Sequence, residues 1–244
     1  MNSDNVFEPG SFVADSVKLG RGNRILRGTV IEGDVTIGND NVIGPMAVIG
    51  TPPQHRQFYD EKHKTGSNKI IIGDRNVIRE FTTIHEGLLG LTRLGNHCFM
   101  MAYSHVSHDS QVFDDAVLAN CSELGGHSRI GEGVYLGLNT AVHQFSTVGA
   151  YSITGMGSVV THDIPPFLVY KNFACYKLNL VGLQRAGFSE TEIETIRGIY
   201  SEIDSFDDVR ASTMKLKGNE RIKRCLLDFF DNRNQKRRIA KVNI

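Results

Sequence analysis

The sequence predicts an all-β solenoid followed by α-helices. Three observations carry this: an aliphatic residue at every sixth position over most of the chain, a glycine directly after many of them, and a change of period after Pro165-Pro166. The first run is Val13, Leu19, Ile25, Ile31, Ile37, Ile43 and Ile49. It resumes with Ile72, Ile78 and Ile84, then continues from Leu94 through Met100, Val106, Val112, Leu118, Leu124, Ile130, Leu136, Val142 and Val148 to Val160, with only Thr154 not clearly apolar. Glycine takes the next position in eleven hexads, that of Thr154 included, where a chain turning a corner gains from a residue without a Cβ. The fourth residue after most of these positions is small or β-branched, as in Thr29, Ala47, Ser104, Ser110, Ser122, Thr140 and Ser158.

A period of six matches neither an amphipathic helix nor an alternating hairpin. It matches a triangular coil in which each hexad is one short strand, three hexads close a turn, and equivalent residues stack at about 4.8 Å. The aliphatics then fill the prism. Residues 51–71 and 86–93 interrupt the phase, are too long for corners and are expected to project as loops bordering a binding site. Beyond the solenoid, Ser189 and Glu192 form a capping box ahead of Ile193, Ile196, Tyr200 and Ile203 on one helical face. A second helix carries Ile222, Leu226, Leu227, Phe229 and Phe230. Arg233, Lys236, Arg237, Arg238 and Lys241 follow, read as a solvated terminus, with attraction to an acidic carrier protein as the alternative. The division expected is a β-helix over residues 1–170 and a helical domain over 171–244.

Composition narrows the function classes. The 27 Lys+Arg balance the 27 Asp+Glu, which removes any electrostatic reason to seek nucleic acid or an anionic membrane. No stretch reaches about 18 uninterrupted apolar residues, and the first residues lack the character of a secretion signal, so a cytoplasmic protein without stable membrane insertion is expected. The four cysteines are widely spaced, with no C-x-x-C pair, which argues against a disulfide framework or a cysteine zinc site.

Five of the nine histidines, His105, His108, His127, His143 and His162, fall in the last half of the solenoid. Stepping by one coil aligns His108, Gly126, Gln144 and His162 in one column and Asp109, His127 and Phe145 in the next, a single polar ridge. Three readings are open. His108 can be a general base, with Asp109 beside it to hold its tautomer and the Gly126 amide one coil above to stabilise an oxyanion. The histidines can bind zinc, as in the trimeric carbonic anhydrases of this fold, although those pair histidines four apart while His105 and His108 are three apart. The ridge can also belong to a non-catalytic scaffold.

The segments Ile72-Gly73-Asp74-Arg75-Asn76, Thr83-Ile84-His85, His105-Val106-Ser107-His108-Asp109, Ala141-Val142-His143-Gln144-Phe145, Asp163-Ile164-Pro165-Pro166 and Asn179 through Ser189 together resemble one family, the UDP-N-acetylglucosamine O-acyltransferases that begin lipid A synthesis. The resemblance implies a left-handed parallel β-helix, a homotrimer with active sites between subunits, and transfer of an acyl chain, usually 3-hydroxyacyl, from acyl carrier protein to the 3-hydroxyl of a UDP-amino sugar, without metal or other cofactor. It implies that His108 is the base, Asp109 its partner and Gly126 the oxyanion donor. It further implies that His105, His127, His143 and Gln144 line the sugar and phosphate site and that Asn179 and Arg185 meet the nucleotide.

The chain also departs from the family pattern. In Pro53-Gln54-His55-Arg56-Gln57, His55 and Gln57 stand where the family has a sugar-binding acid and lysine, and Val181 and Ala186 replace further nucleotide contacts. An altered acceptor follows as an expectation, and an N-acyltransferase for another nucleotide-linked amino sugar, or a catalytically silent paralogue, remains an alternative. Met156 and Phe173 stand at the acyl pocket where long-chain members carry Gly and His. Bulk there removes room for methylenes worth about 0.8 kcal/mol each, so a shorter acyl chain is expected.

Overall fold

The computed structural model describes residues 4–59, 69–201 and 206–242. Hexads become two-residue strands joined by tight corners and close into a left-handed parallel β-helix of three sheets. The first face holds Val6–Phe7, Arg24–Ile25 and every third strand onward to Leu168–Lys171; the second runs from Phe12–Val13 to Val159–Val160; the third runs from Lys18–Leu19 to Thr147–Val148. Neighbouring strands pair parallel in a register of one coil, as in His105 with Glu123 and Gln111 with Arg129.

The predicted aliphatics are the core. Ile25, Ile31, Ile43, Ile49, Ile78, Met100, Val106, Val112, Leu118, Ile130 and Val148 are completely buried. The small fourth-position residues are buried as well, because only a short side chain fits inside a corner and its hydroxyl can return to a nearby carbonyl. Ser104 Oγ donates to Met101 O at 2.7 Å, and Ser122 Oγ to Ala119 O at 2.6 Å. Thr154, the one polar member of the aliphatic column, is buried because its hydroxyl lies 2.9 Å from that of Thr140 and accepts the Gly137 N–H.

Both interruptions leave the solenoid at the edge between the second and third faces. The first departs after Val48–Thr51, and the second after Thr83–His85. Their ends belong to the sheet, which corrects the expected loop bounds: Lys69–Ile72 and Leu91–Leu94 are four-residue strands paired with each other in full register. Among the described residues, 52–59, including a 3-10 turn at Arg56–Tyr59, and 86–90 lie outside the sheets. The second loop does not project freely. Glu86 is buried and accepts the Asp34 N–H at 3.1 Å, and burial raises its carboxyl above the ordinary range.

The helical part begins with α1 (Leu180–Arg185), followed by α2 (Glu190–Ser201), α3 (Phe206–Lys215) and α4 (Glu220–Asn232). The capping box is present, with the Ser189 N–H donating to Glu192 Oε2 at 2.8 Å and the Glu192 N–H to Ser189 Oγ at 3.3 Å. Ile193, Ile196 and Tyr200 of α2 and Ile222, Leu226, Phe229 and Phe230 of α4 are buried; Ile203 lies outside the described residues. The helix α3 carries no strong pattern and was not expected from the sequence. The boundary expected after residue 170 falls inside a strand, since Leu168–Lys171 continues the first face and turns back antiparallel into Ala174–Leu178.

The basic tail is not simply solvated. Its final strand, Lys241–Val242, pairs parallel with Ala174–Leu178, and Arg233 and Arg237 turn inward to the fully buried Asp163, at 3.4 and 3.8 Å. Asp163 in turn accepts the Thr147 N–H at 2.9 Å, and burial pushes its carboxyl up to about 6 against the pull of that bond and both arginines. An alternation of cations in a terminal segment gave no sign of one buried acid upstream.

Candidate active site

The predicted ridge runs along the edge from which both loops emerge. Asp109, His127 and Phe145 occupy the same corner position in successive coils, each with φ near 60°, and their side chains therefore share one direction. The His127 and Phe145 rings are stacked at 4.6 Å, and His108 stands edge-on to His127 at 5.2 Å.

His108 Nδ1 lies 2.8 Å from Asp109 Oδ2. The same carboxylate accepts the backbone N–H groups of Leu88, Leu89 and Gly90 at 3.0, 3.1 and 2.7 Å, and the Asp109 N–H donates to Thr92 Oγ1 at 2.9 Å. Burial alone would raise this carboxyl; the bond from His108, the loop amides and the nearby His127 bring it down to about 2. An ionised Asp109 requires the proton of a neutral His108 to sit on Nδ1, which leaves Nε2 as the basic atom.

Gly126 lies against that ring. A Cβ built there would stand 2.6 Å from His108 Cε1 and 2.7 Å from Nε2, so this position admits no side chain while His108 keeps its place. The flanking amides are used by the solenoid: Gly125 N–H donates to Val142 O and His127 N–H to His108 O. Among the described residues no acceptor takes the Gly126 N–H.

His105 Nδ1 is 2.7 Å from Thr83 Oγ1, and its ring is edge-on to His85 at 4.6 Å. His85 is buried, its Nδ1 has no partner, and burial reinforced by repulsion from His105 and His108 brings it down to about 4. His85 was not singled out as a site residue from the sequence, yet it stands directly after Ile84, where eleven hexads have glycine. A histidine in a glycine position was the available signal. The loop amides and Thr92 had none, because a backbone donor is invisible in a residue pattern.

The remaining candidates divide between edges. His55 faces His108, with the two ring centroids 5.7 Å apart. Gln57 belongs to the 3-10 turn and its side chain lies outside the described residues. His143 is at the upper end of the ridge, its Nδ1 3.0 Å from Gln144 O and 3.3 Å from Arg237 Nη1; the tail arginine also donates to Gln144 O at 3.1 Å and to Thr161 O. Met156 and Phe173 are both exposed and line one small depression of about 80 Å³, but at the edge between the first and second faces. Asn179 caps α1, its Oδ1 accepting the Gly182 N–H at 3.2 Å while Nδ2 donates to Tyr151 O at 2.8 Å. Tyr151 is a corner residue between the third and first faces, and Arg185 is at the end of that same helix. Thus one chain brings the ridge histidines together, whereas Met156 with Phe173, and Asn179 with Arg185, stand on its other two edges.

Beside the ridge is a polar cavity of about 360 Å³ lined by residues that include Asp109, Gln111, His127, Arg129, Phe145 and Asn232. An imidazole with a fixed tautomer, a carboxylate behind it and an unused amide beside it can remove a proton from a nucleophile and stabilise a developing oxyanion.

Comparison with known proteins gives two family matches, "Bacterial transferase hexapeptide (six repeats)" over residues 16–51 and "Udp N-acetylglucosamine O-acyltransferase; Domain 2" over residues 163–240. Curated relatives named acyl-[acyl-carrier-protein]--UDP-N-acetylglucosamine O-acyltransferase include one from Burkholderia lata, 36% identical over 80% of this chain and 78% of the relative, and one from Halorhodospira halophila, 35% identical over 82% and 80%. A Burkholderia orbicola relative is 40% identical over 67% of this chain, a stretch that spans 63% of that relative. Among solved structures, the UDP-N-acetylglucosamine acyltransferase from Campylobacter jejuni superposes with a TM-score of 0.85 at 28% identity, covering 98% of this chain and 93% of its own. That from Moraxella catarrhalis gives 0.79 at 28%, covering 99% of both.

Proposed function

The chain belongs to the UDP-N-acetylglucosamine O-acyltransferase family, and on that premise we propose that it moves an acyl chain, 3-hydroxyacyl in the family pattern, from acyl carrier protein to the 3-hydroxyl of UDP-N-acetylglucosamine or a close relative, in lipid A synthesis. The observation that carries the reading is the His108–Asp109 pair with the Gly126 amide beside it. His108 Nε2 takes the proton of the acceptor hydroxyl as its oxygen attacks the thioester carbonyl. The Gly126 N–H donates to the resulting oxyanion, and Asp109 stabilises the imidazolium. When the tetrahedral intermediate collapses, the C–S bond breaks and the imidazolium returns its proton to the departing thiolate, so the base is regenerated with each turnover.

The assembly proposed is a homotrimer. The histidine ridge, the Met156–Phe173 depression and the Asn179–Arg185 helix lie on different edges of one prism, and a neighbouring protomer is the simplest means of bringing another edge to His108. Met156 and Phe173 then bound the acyl chain and favour a short one, while His105, His127, His143, Gln144, His55 and Gln57 face the sugar and phosphates. Among the described residues no helix is long and apolar enough to cross a membrane. A cytoplasmic site of action is proposed from the nature of the donor, a carrier-protein thioester.

The test is incubation of the purified protein with acyl carrier protein thioesters of graded length and UDP-N-acetylglucosamine, following product mass. A mono-acylated sugar, with turnover falling roughly 10²- to 10⁴-fold in His108→Ala, is the expected result. Unchanged turnover in that variant overturns the base assignment. Product from a 3-amino sugar but none from the 3-hydroxyl sugar would assign amide formation instead.

A further inference from the structure

The histidine this chain carries at position 55 adds a third imidazole to the centre of the ridge. Donor atoms of His108, Asp109 and His127 all lie within 4.8 Å of one another, with His127 Nε2 3.6 Å from Asp109 Oδ2. His55 meets His108 edge-on at 5.7 Å, on a chain segment held by the bond from the His55 N–H to Pro53 O at 2.7 Å. Imidazole nitrogens are donors that suit zinc and its neighbours, whereas magnesium and calcium take oxygen ligands.

We propose that His55, His108 and His127 form a binding site for a divalent transition-metal ion, with the Asp109 carboxylate behind His108 as an outer partner, and that the bound ion suppresses acyl transfer. The suppression follows from lone pairs. A metal held by His108 Nε2 occupies the electron pair that would accept the acceptor's proton, while Asp109 can keep its contact with Nδ1 and orient the ring toward the ion as an outer partner. This second clause rests on the acyl-transfer reading above; binding itself does not.

The two are therefore measured separately. Co²⁺ is titrated into the full chain without substrate, and its visible absorption is followed, with Zn²⁺ as competitor. One equivalent per protomer, with an intense band of low coordination number, is expected. His127→Ala and, as a variant outside the solenoid core, His55→Ala should each weaken binding roughly 10- to 100-fold. His97→Ala, at an exposed histidine paired with Asp115 on another edge, should leave it unchanged. Absence of the band, or equal losses in all three variants, overturns the site. In the second measurement Zn²⁺ should abolish turnover and a chelator restore it; full turnover with the site saturated overturns the suppression while leaving the metal site standing.

Discussion

Asp109 is the residue on which the site's chemistry converges. It draws three loop amides and His108 Nδ1 to one carboxylate, and this fixes the tautomer that leaves His108 Nε2 basic. Gly126 is the complementary case, since its contribution depends on a missing atom. Gly126→Ala forces the His108 ring away from a Cβ only 2.6 Å off, and with it the bond to Asp109. Its kcat should fall roughly 10²-fold or more with the thermal midpoint little changed, as steady-state kinetics and calorimetry on one preparation would show. His85 gives a prediction about pH. Between about 6.5 and about 4 the unfolded chain binds a proton at this residue that the native chain refuses, so the contribution of His85 to stability falls as pH drops through that window. The loss is roughly 3 kcal/mol for His85 acting alone. Asp109, held down near 2, adds its own loss only below about pH 4. Asp163, pushed up to about 6, works in the opposite sense between about 6 and 4, so the readout is a difference between two proteins: in urea melts the stability of the parent relative to His85→Asn should decline as pH drops from 6.5 to 4 and change no further below.

The second loop is the element that converts an interruption into a functional part. Its four extra residues are visible in the pairing of Thr83 with His105, 22 positions apart where an uninterrupted coil such as His105 with Glu123 spans 18. They leave the edge just far enough to turn three N–H groups onto Asp109, and Thr92, on the strand that receives the chain again, accepts the Asp109 N–H. Thr92→Val keeps the volume and leaves that buried donor unpaired, at a cost of about 1–3 kcal/mol. Denaturant unfolding should register that loss, and kcat should drop with KM nearly unchanged; equal stability in the two proteins would mean that the loop holds Asp109 without Thr92. The tail is a second element joined through a buried charge. Asp163 anchors Arg233 and Arg237, and this delivers the Arg237 guanidinium to His143 and Gln144 at the ridge's upper end.

At the scale of the molecule, a triangular prism separates the candidate site residues by edge. The ridge histidines, the depression lined by Met156 and Phe173, and the α1 helix occupy three different edges, and a rigid solenoid cannot fold one edge onto another. A trimer with shared clefts predicts complementation. His108→Ala and Arg185→Ala proteins, each inactive alone, should regain about a quarter of the sites when co-refolded in equal amounts, if the two residues come from different protomers. Turnover measured before and after mixing decides this, and no recovery would mean that a single chain supplies both.

The period of six was enough to determine the solenoid, its buried columns and the alignment of His108, Asp109, Gly126 and His127, because a repeat of constant length converts position in the chain directly into position in space. The capping box likewise specified a helix start from local bonds alone. Where the period broke, that conversion failed. The strands Lys69–Ile72 and Leu91–Leu94, the amides gathered by Asp109, the inward turn of Arg233 and Arg237, and the approach of His55 to His108 all depend on chain segments meeting across long separations. Contacts of that kind are decided by packing and by where buried charges find partners, which no local pattern encodes, and so tertiary structure alone placed them.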